Sequence, residues 1–440
     1  MTSFDRFENR LPALLEELGT PRLPDYADDL FARTAATRQR PGWTFPERWL
    51  LVSALTRRFA LAPRVPWRVG VTIALLLVAA IIGLLVAGSR LSKVPPPFGP
   101  ASNGVIPYMS NGKLYVGDLV SGNTRLVVDA AGDQGQPQFS LDGTRVAFVR
   151  LENRNGSPTT NIYVIRPDGS GTVKIKTPEP IFDTDRQWFG WTPDSRHIAI
   201  IHAVNSVNQL DVFDASGNGS VQRLSAAAGL TAVAFRPPDG RQIMFRAPAE
   251  SSTGIRGFGL YVMNLDGSNR QLLAEPAAAG DTLDLTSATY TPDGGRIFYN
   301  RWTDDANAGD AGCCQLYVMN GDGSGQREFI QNPGTAWDGD AAVSPDGTRI
   351  AFWHNPNDRQ SHGLFVIRAD GTGPLIETGP ALTSLQFKVW APDSSKILMY
   401  PRDASNTPAY LLDPAGGPWT ITPWTQDNDI DWQRVAPPTS

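Results

Sequence analysis

The side chains able to do chemistry in this 440-residue chain are few and scattered. Its four histidines, His197, His202, His354 and His362, show neither H-E-x-x-H spacing nor a triad order. His197 falls inside an expected strand and His202 just beyond it, so both have structural roles. No G-x-S-x-G elbow occurs, and no stretch is left over for a hydrolase domain. Two acid-rich loops could supply the several oxygens that calcium needs. One is "TDDANAGDAG" (303–312), with Asp304, Asp305 and Asp310; the other is "DNDID" (427–431), with Asp427, Asp429 and Asp431. Neither has EF-hand spacing, and solvated loops are commonly acidic, so neither a metal nor a cofactor is expected. Cys313 and Cys314 are adjacent and form either a strained vicinal disulfide or two reduced thiols beside a strand. Pieces such as "DGSG" lack the strand-to-helix context of a phosphate loop and read as turns. A non-enzymatic protein is the expectation.

The recurring residues are those of a turn. "AAVSPDGTRIAFWH" (341–354) reads as strand, tight turn and strand, and five other stretches repeat it around Asp142, Asp194, Asp239, Asp293 and Asp393. With Asp346, the spacings are 52, 45, 54, 53 and 47 residues. Pro presets the first central φ, Asp caps backbone N–H groups, and Gly takes the left-handed position that closes the hairpin. Gly143, Gly240, Gly294 and Gly347 hold that position. Ser195 and Ser394 replace it in two copies, whose turns are therefore expected to be looser. A second signature runs in step, from "KLYVGDLVSGN" (113–123) to "PAYLLDPAGGP" (408–418), in seven copies. The strand after each turn is apolar on both sides, as in Val146–Val149 and Ile350–Trp353. Such a sheet must be covered on both faces.

A period in this range, with strands and no helices, predicts a propeller. Each repeat supplies four strands. The first unit (104–129) supplies three, and "DIDWQRV" (429–435) supplies an orphan that would complete it and close the ring. The fold expected is mainly β, a seven-bladed β-propeller, with six blades as the alternative. Trp188, Trp191, Trp302, Trp337, Trp353, Trp390 and Trp432 fall near inner strands, where most would pack blade to blade and some would line the axial mouth.

The pattern "SPDGTRIAF … LYVMNLDGS" resembles the repeats of TolB-type, WD-repeat-like β-propellers over residues 104–436. The resemblance implies the fold, in a group that spans periplasmic scaffolds, peptidase accessory domains and sensor ectodomains.

Ahead of the repeats, Val69–Ser89 carries 21 residues without a charge. At about 1.5 Å per residue it would span about 30 Å, a bilayer's hydrocarbon core. Arg57, Arg58, Arg64 and Arg68 precede it and only Arg90 and Lys93 follow closely, which predicts a cytosolic N-terminus and an extracytoplasmic propeller. The domains expected are a cytosolic helical segment (1–65), a transmembrane helix (66–90), a stiff Pro-rich linker (91–103) and the propeller (104–436). Stripes at 4–19 and 24–40 predict the cytosolic helices. This arrangement resembles membrane-bound anti-sigma and related bacterial signalling proteins, although residues 1–65 lack the Cys and His of a zinc site. The net charge of −5 gives no reason for a nucleic-acid partner. The function expected is a single-pass cell-membrane protein whose propeller mouth binds a protein, peptide or glycan. Residues 1–60 would meet a cytosolic protein partner. The alternatives are a passive cell-envelope scaffold and a propeller-top hydrolase or lyase.

Overall fold

The computed structural model describes residues 74–78, 94–129, 134–154, 157–177, 189–204, 207–219, 221–227, 230–249, 258–275, 282–302, 315–330, 337–355, 362–382, 386–401, 406–427 and 430–437. The chain divides into two units, Met1–Leu91 and Ser92–Ser440. In the first, residues 74–78 are helical and exposed. The expected cytosolic segment and the remainder of the expected span lie outside the described residues. Among the described residues, no helix is long and apolar enough to cross a membrane.

The second unit is built of antiparallel sheets in chain order, seven of them forming blades among the described residues. Blade 1 contains Ile106–Ser110, Lys113–Gly117 and Thr124–Val128. Blades 2 to 7 have four strands each. Their inner strands are Gln134–Phe139, Phe189–Trp191, Thr231–Phe235, Thr282–Tyr290, Trp337–Val343 and Gln386–Trp390. From blade 3 to blade 7, successive inner strands lie side by side around the axis. The blade count settles at seven, not six.

Closure follows the expected route. The C-terminal stretch runs antiparallel to Ile106–Ser110. Asp427 N donates to Met109 O at 2.8 Å, Gln433 N donates to Val105 O at 3.0 Å, and Ile430 bridges Tyr108. Trp432 is buried in one apolar cluster with Tyr108, Tyr115 and Trp424. The two ends of the propeller thus share blade 1.

The packing explains why the strand after each turn is apolar throughout. Positions four, five and six beyond the turn aspartate are almost fully buried in every repeat, from Val146, Ala147 and Phe148 to Ile397, Leu398 and Met399. Consecutive residues point to opposite faces. The buried side chains form seven clusters, and each joins two neighbouring blades. Seven blades joined at seven junctions make a closed ring. Each fully buried Phe in these strands contributes about 1.5–3 kcal/mol.

One feature of the inner strands has no local sequence signal. Register shifts interrupt their pairing between Gly135 and Gln138, Thr231 and Ala234, Asp284 and Thr289, and Gly339 and Ala342. Three of the shifts insert one extra residue, as a bulge that bends the strand does, and the shift after Asp284 inserts three.

Candidate functional site

The six turn aspartates lie at the same end of their blades and form a collar. In the turns of blades 2, 3, 5 and 6, the residue two before the aspartate is Ser or Thr, and its hydroxyl donates to the carboxylate. Ser140 Oγ reaches Asp142 at 2.5 Å, Thr192 Oγ1 reaches Asp194 at 2.6 Å, Thr291 Oγ1 reaches Asp293 at 2.5 Å and Ser344 Oγ reaches Asp346 at 2.6 Å. The same carboxylates accept the backbone N–H two residues on, as Thr144 N does to Asp142 at 3.0 Å. The Thr291 hydroxyl and the Gly295 N–H hold the Asp293 carboxyl below its ordinary range. Burial pushes Asp194 and Asp346 upward, but their hydroxyl and N–H donors outweigh it and both lie low. These carboxylates are structural acceptors.

The position after each aspartate touches the preceding blade. Gly294 has φ +69°, and a Cβ there would overlap the Pro237 carbonyl of blade 4. Gly143, at φ +70°, meets the Arg434 carbonyl of the closing strand in the same way. Gly240 and Gly347 face Pro193 and Pro292 of the blades before them.

Ser195 and Ser394 correct the expectation of loose turns. Both adopt positive φ, 56° and 64°, and both are 2% exposed. The Asp142 N–H donates to Ser195 Oγ and the Asp346 N–H to Ser394 Oγ, each at 3.0 Å. Arg145 donates to the Ser195 carbonyl, and Arg349 donates to that of Ser394 at 3.2 Å. The same arginines lie over the rings of Trp191 and Trp390, at 5.1 and 5.8 Å. The indole N–H groups donate back to Gln138 O at 3.1 Å and Ala342 O at 2.9 Å. The junctions of blades 2 with 3 and 6 with 7 therefore carry the same four-part clamp. Its signal was present in the sequence: "DGTR" in one blade is followed by "WTPDS" or "WAPDS" in the next.

Two of the histidines, His202 and His354, pair with buried aspartates. His202 lies within the strand His197–Val204 rather than beyond it. Its Nε2 is 2.9 Å from Asp211 Oδ2, and Arg223 Nε donates to Asp211 Oδ1 at 3.1 Å. Burial raises the Asp211 carboxyl, yet the bonds from His202 and Arg223 keep it below the usual range. His354 Nδ1 is 2.6 Å from Asp338 Oδ1, which lies on the inner strand of blade 6. His197 pairs at the surface with Asp194 at 2.9 Å. These pairs join neighbouring strands of one blade and were not read from the sequence.

Of the acidic stretches, 303–312 and Asp429 lie outside the described residues, as do Cys313, Cys314 and Trp188. Asp427 and Asp431 are used as acceptors across the seam. Asp427 accepts from Gly112 N at 3.3 Å and Asn406 N at 3.0 Å, and Asp431 accepts from Phe139 N at 2.7 Å. Among the described residues, no group of acidic, His or Cys side chains is arranged to hold a metal. Trp191, Trp353, Trp390 and Trp432 are all buried, in line with blade-to-blade packing.

A groove of about 360 Å³ opens at the collar, lined by Arg236, Pro237, Asp239, Arg241, Asn264 and Asp293 among others. Here the turn of blade 4 is enlarged. Gly240 N donates to Arg236 O, four residues back, whereas Gly294 N donates to Thr291 O, three back. Arg236, whose carbonyl accepts the Gly240 N–H, takes the place held by Ser or Thr in blades 2, 3, 5 and 6, and its guanidinium donates to Gln242 Oε1 at 2.9 Å. Two guanidinium groups and two carboxylates line the groove.

No family model matches the chain. TolB from Acinetobacter baumannii is similar at 18% identity, over 74% of this chain and 82% of that one, with a TM-score of 0.46. An oligogalacturonate lyase in complex with manganese is similar at 12% identity, over 75% and 85%, with a TM-score of 0.52. The oligogalacturonate lyase of Vibrio parahaemolyticus is similar at 12% identity, over 73% and 86%, with a TM-score of 0.51. The fold is a β-propeller. At these identities the likeness concerns architecture, and propellers of one architecture serve unrelated functions.

Proposed function

We propose that this is a membrane-anchored, non-enzymatic interaction protein whose β-propeller takes a protein, peptide or glycan at its axial mouth. The observation that carries the reading is the uncharged Val69–Ser89 run ahead of a closed ring. Arginines concentrated before the run favour a cytosolic N-terminus and a propeller outside the cell membrane. The propeller supports a binding role because the ionisable side chains described above are engaged in holding strands and turns. Residues 1–60 would tether a cytosolic protein or relay to it.

Two measurements on the full chain test this. Reporter fusions at residue 60 and after residue 436 should report cytosolic and extracytoplasmic positions, and the protein should resist extraction by alkaline carbonate. Cross-linking in cells should capture one partner on each side, the cytosolic one lost when residues 1–60 are replaced by an unrelated sequence. Release by carbonate overturns the anchor. A partner set unchanged by the replacement leaves a passive envelope scaffold. Turnover of a glycan or peptide by the purified protein would identify an enzyme instead.

A further inference from the structure

Blade 1 is the one blade that cannot have a Pro-Asp turn. Its inner strand and its next strand come from opposite ends of the propeller, so no chain links them at the collar. The collar nevertheless has no gap at that point, because the approach to the ring fills it. Ala101 N donates to Pro392 O at 2.9 Å, within the turn of blade 7. The Asp393 N–H donates to Asn103 Oδ1 at 3.1 Å. At two other junctions the same N–H of the turn aspartate donates to Ser195 or Ser394. Asn103 thus does for blade 7 what those serines do for blades 2 and 6. On the other side, Gln433 Nε2 donates to Gly143 O at 2.6 Å, and the Arg434 carbonyl takes the place against Gly143 that Pro237 takes against Gly294.

The two halves of this substitute are fastened together. Ser102 and Asn103 pair with Val435 and Arg434, and Gly104 N donates to Gln433 O at 2.9 Å. The Arg434 guanidinium donates to Pro96 O at 3.0 Å and Gly99 O at 2.5 Å. The Pro-rich stretch is therefore a strap on the ring over these residues, beyond its expected part as a spacer.

We infer that residues 96–104 and 433–435 together replace the missing seventh turn, so that the chain entering the ring is locked to the strand that closes it. A pull or a bound partner acting on the chain ahead of Pro96 is delivered first to Arg434, and through it to the closing strand. The seam of blade 1 is the part of the propeller that responds to its N-terminal attachment.

Hydrogen exchange on the full-length protein tests this. Arg434→Ala removes both strap contacts and should speed exchange at Gly104, Asp427 and Gln433 about tenfold or more. The amides of residues 242–247 in blade 4 should keep their wild-type rates. Arg434→Lys, which cannot bridge two carbonyls in the same way, should fall between. Asn103 is exposed, so Asn103→Ala keeps the test available if the arginine variant fails to fold. It should speed exchange at the Asp393 amide and along the seam about threefold, again leaving blade 4 unchanged. Seam rates that stay at wild-type values in a folded variant overturn the inference. So does a rise of equal size in every blade.

Discussion

At the scale of single residues, Ser195 shows what a turn position can carry beyond its own hairpin. Its left-handed backbone is held while its hydroxyl accepts the Asp142 N–H. Ser195→Ala keeps the strained φ and leaves that N–H unpaired, so it should cost about 1–2 kcal/mol in urea unfolding. Ser195→Gly loses the same bond but relieves the φ and should cost less. If the order is reversed, the clamp is not what holds the junction. Asp431 offers a pH test. Burial lifts its carboxyl from 3.8 to about 6, against the pull of the Phe139 and Trp432 N–H groups and of Arg434. A carboxyl raised in the fold favours the folded state when protonated. That stabilisation is complete below about pH 4 and is lost as pH rises through about 6, a loss of at most about 3 kcal/mol. Asp431→Asn still accepts from Phe139 N–H and carries no charge. It should melt higher than wild type at pH 7.5 and alike at pH 4, by calorimetry at the two values.

At the scale of elements, the blade junctions carry the stability. Blades 7 and 1 meet through a stack in which Tyr108 lies 5.2 Å from Trp424 and 5.5 Å from Tyr115. Gly117 makes room for this stack, since a Cβ there would lie 2.7–2.8 Å from three atoms of the Trp424 ring. Gly117→Ala should therefore destabilise by about 1–3 kcal/mol through overpacking, read as a lower urea midpoint with unchanged slope. The strands and their turns were legible because their signals are local: Pro-Asp-Gly at a fixed offset and an apolar run behind it. The bulges at Gln136 and Asp340 were not, because they answer to crowding around an axis that no short window contains. The His202–Asp211 and His354–Asp338 pairs were missed because each joins two strands, one partner 9 and the other 16 residues away.

For the whole molecule, closure decides how it unfolds. Each blade of a closed ring has two neighbours, so losing one junction exposes apolar surface on both sides. Trp432 seals the last junction and is 5% exposed. Trp432→Ala should cost about 3–5 kcal/mol. Wild-type protein should unfold in one calorimetric transition, whereas the variant should split into an early seam opening and a later loss of the other blades. A single lowered transition would show that the seam is no weaker than any other junction.

The propeller architecture and the burial of both sheet faces were set by the sequence alone, since each follows from a repeated local motif, whereas the choice of seven blades over six came from the sheets themselves. The sequence also carried the paired "DGTR" and "WxPDS" stretches, but what they bind became apparent only when the blades stood side by side. Tertiary structure decided which turn each Ser or Gly meets, that Asp427 and Asp431 accept hydrogen bonds at the seam, and that the Pro-rich approach completes the collar. These contacts join residues from 21 to 338 positions apart. Their partners are fixed by the curvature of the ring, a property that no single repeat has.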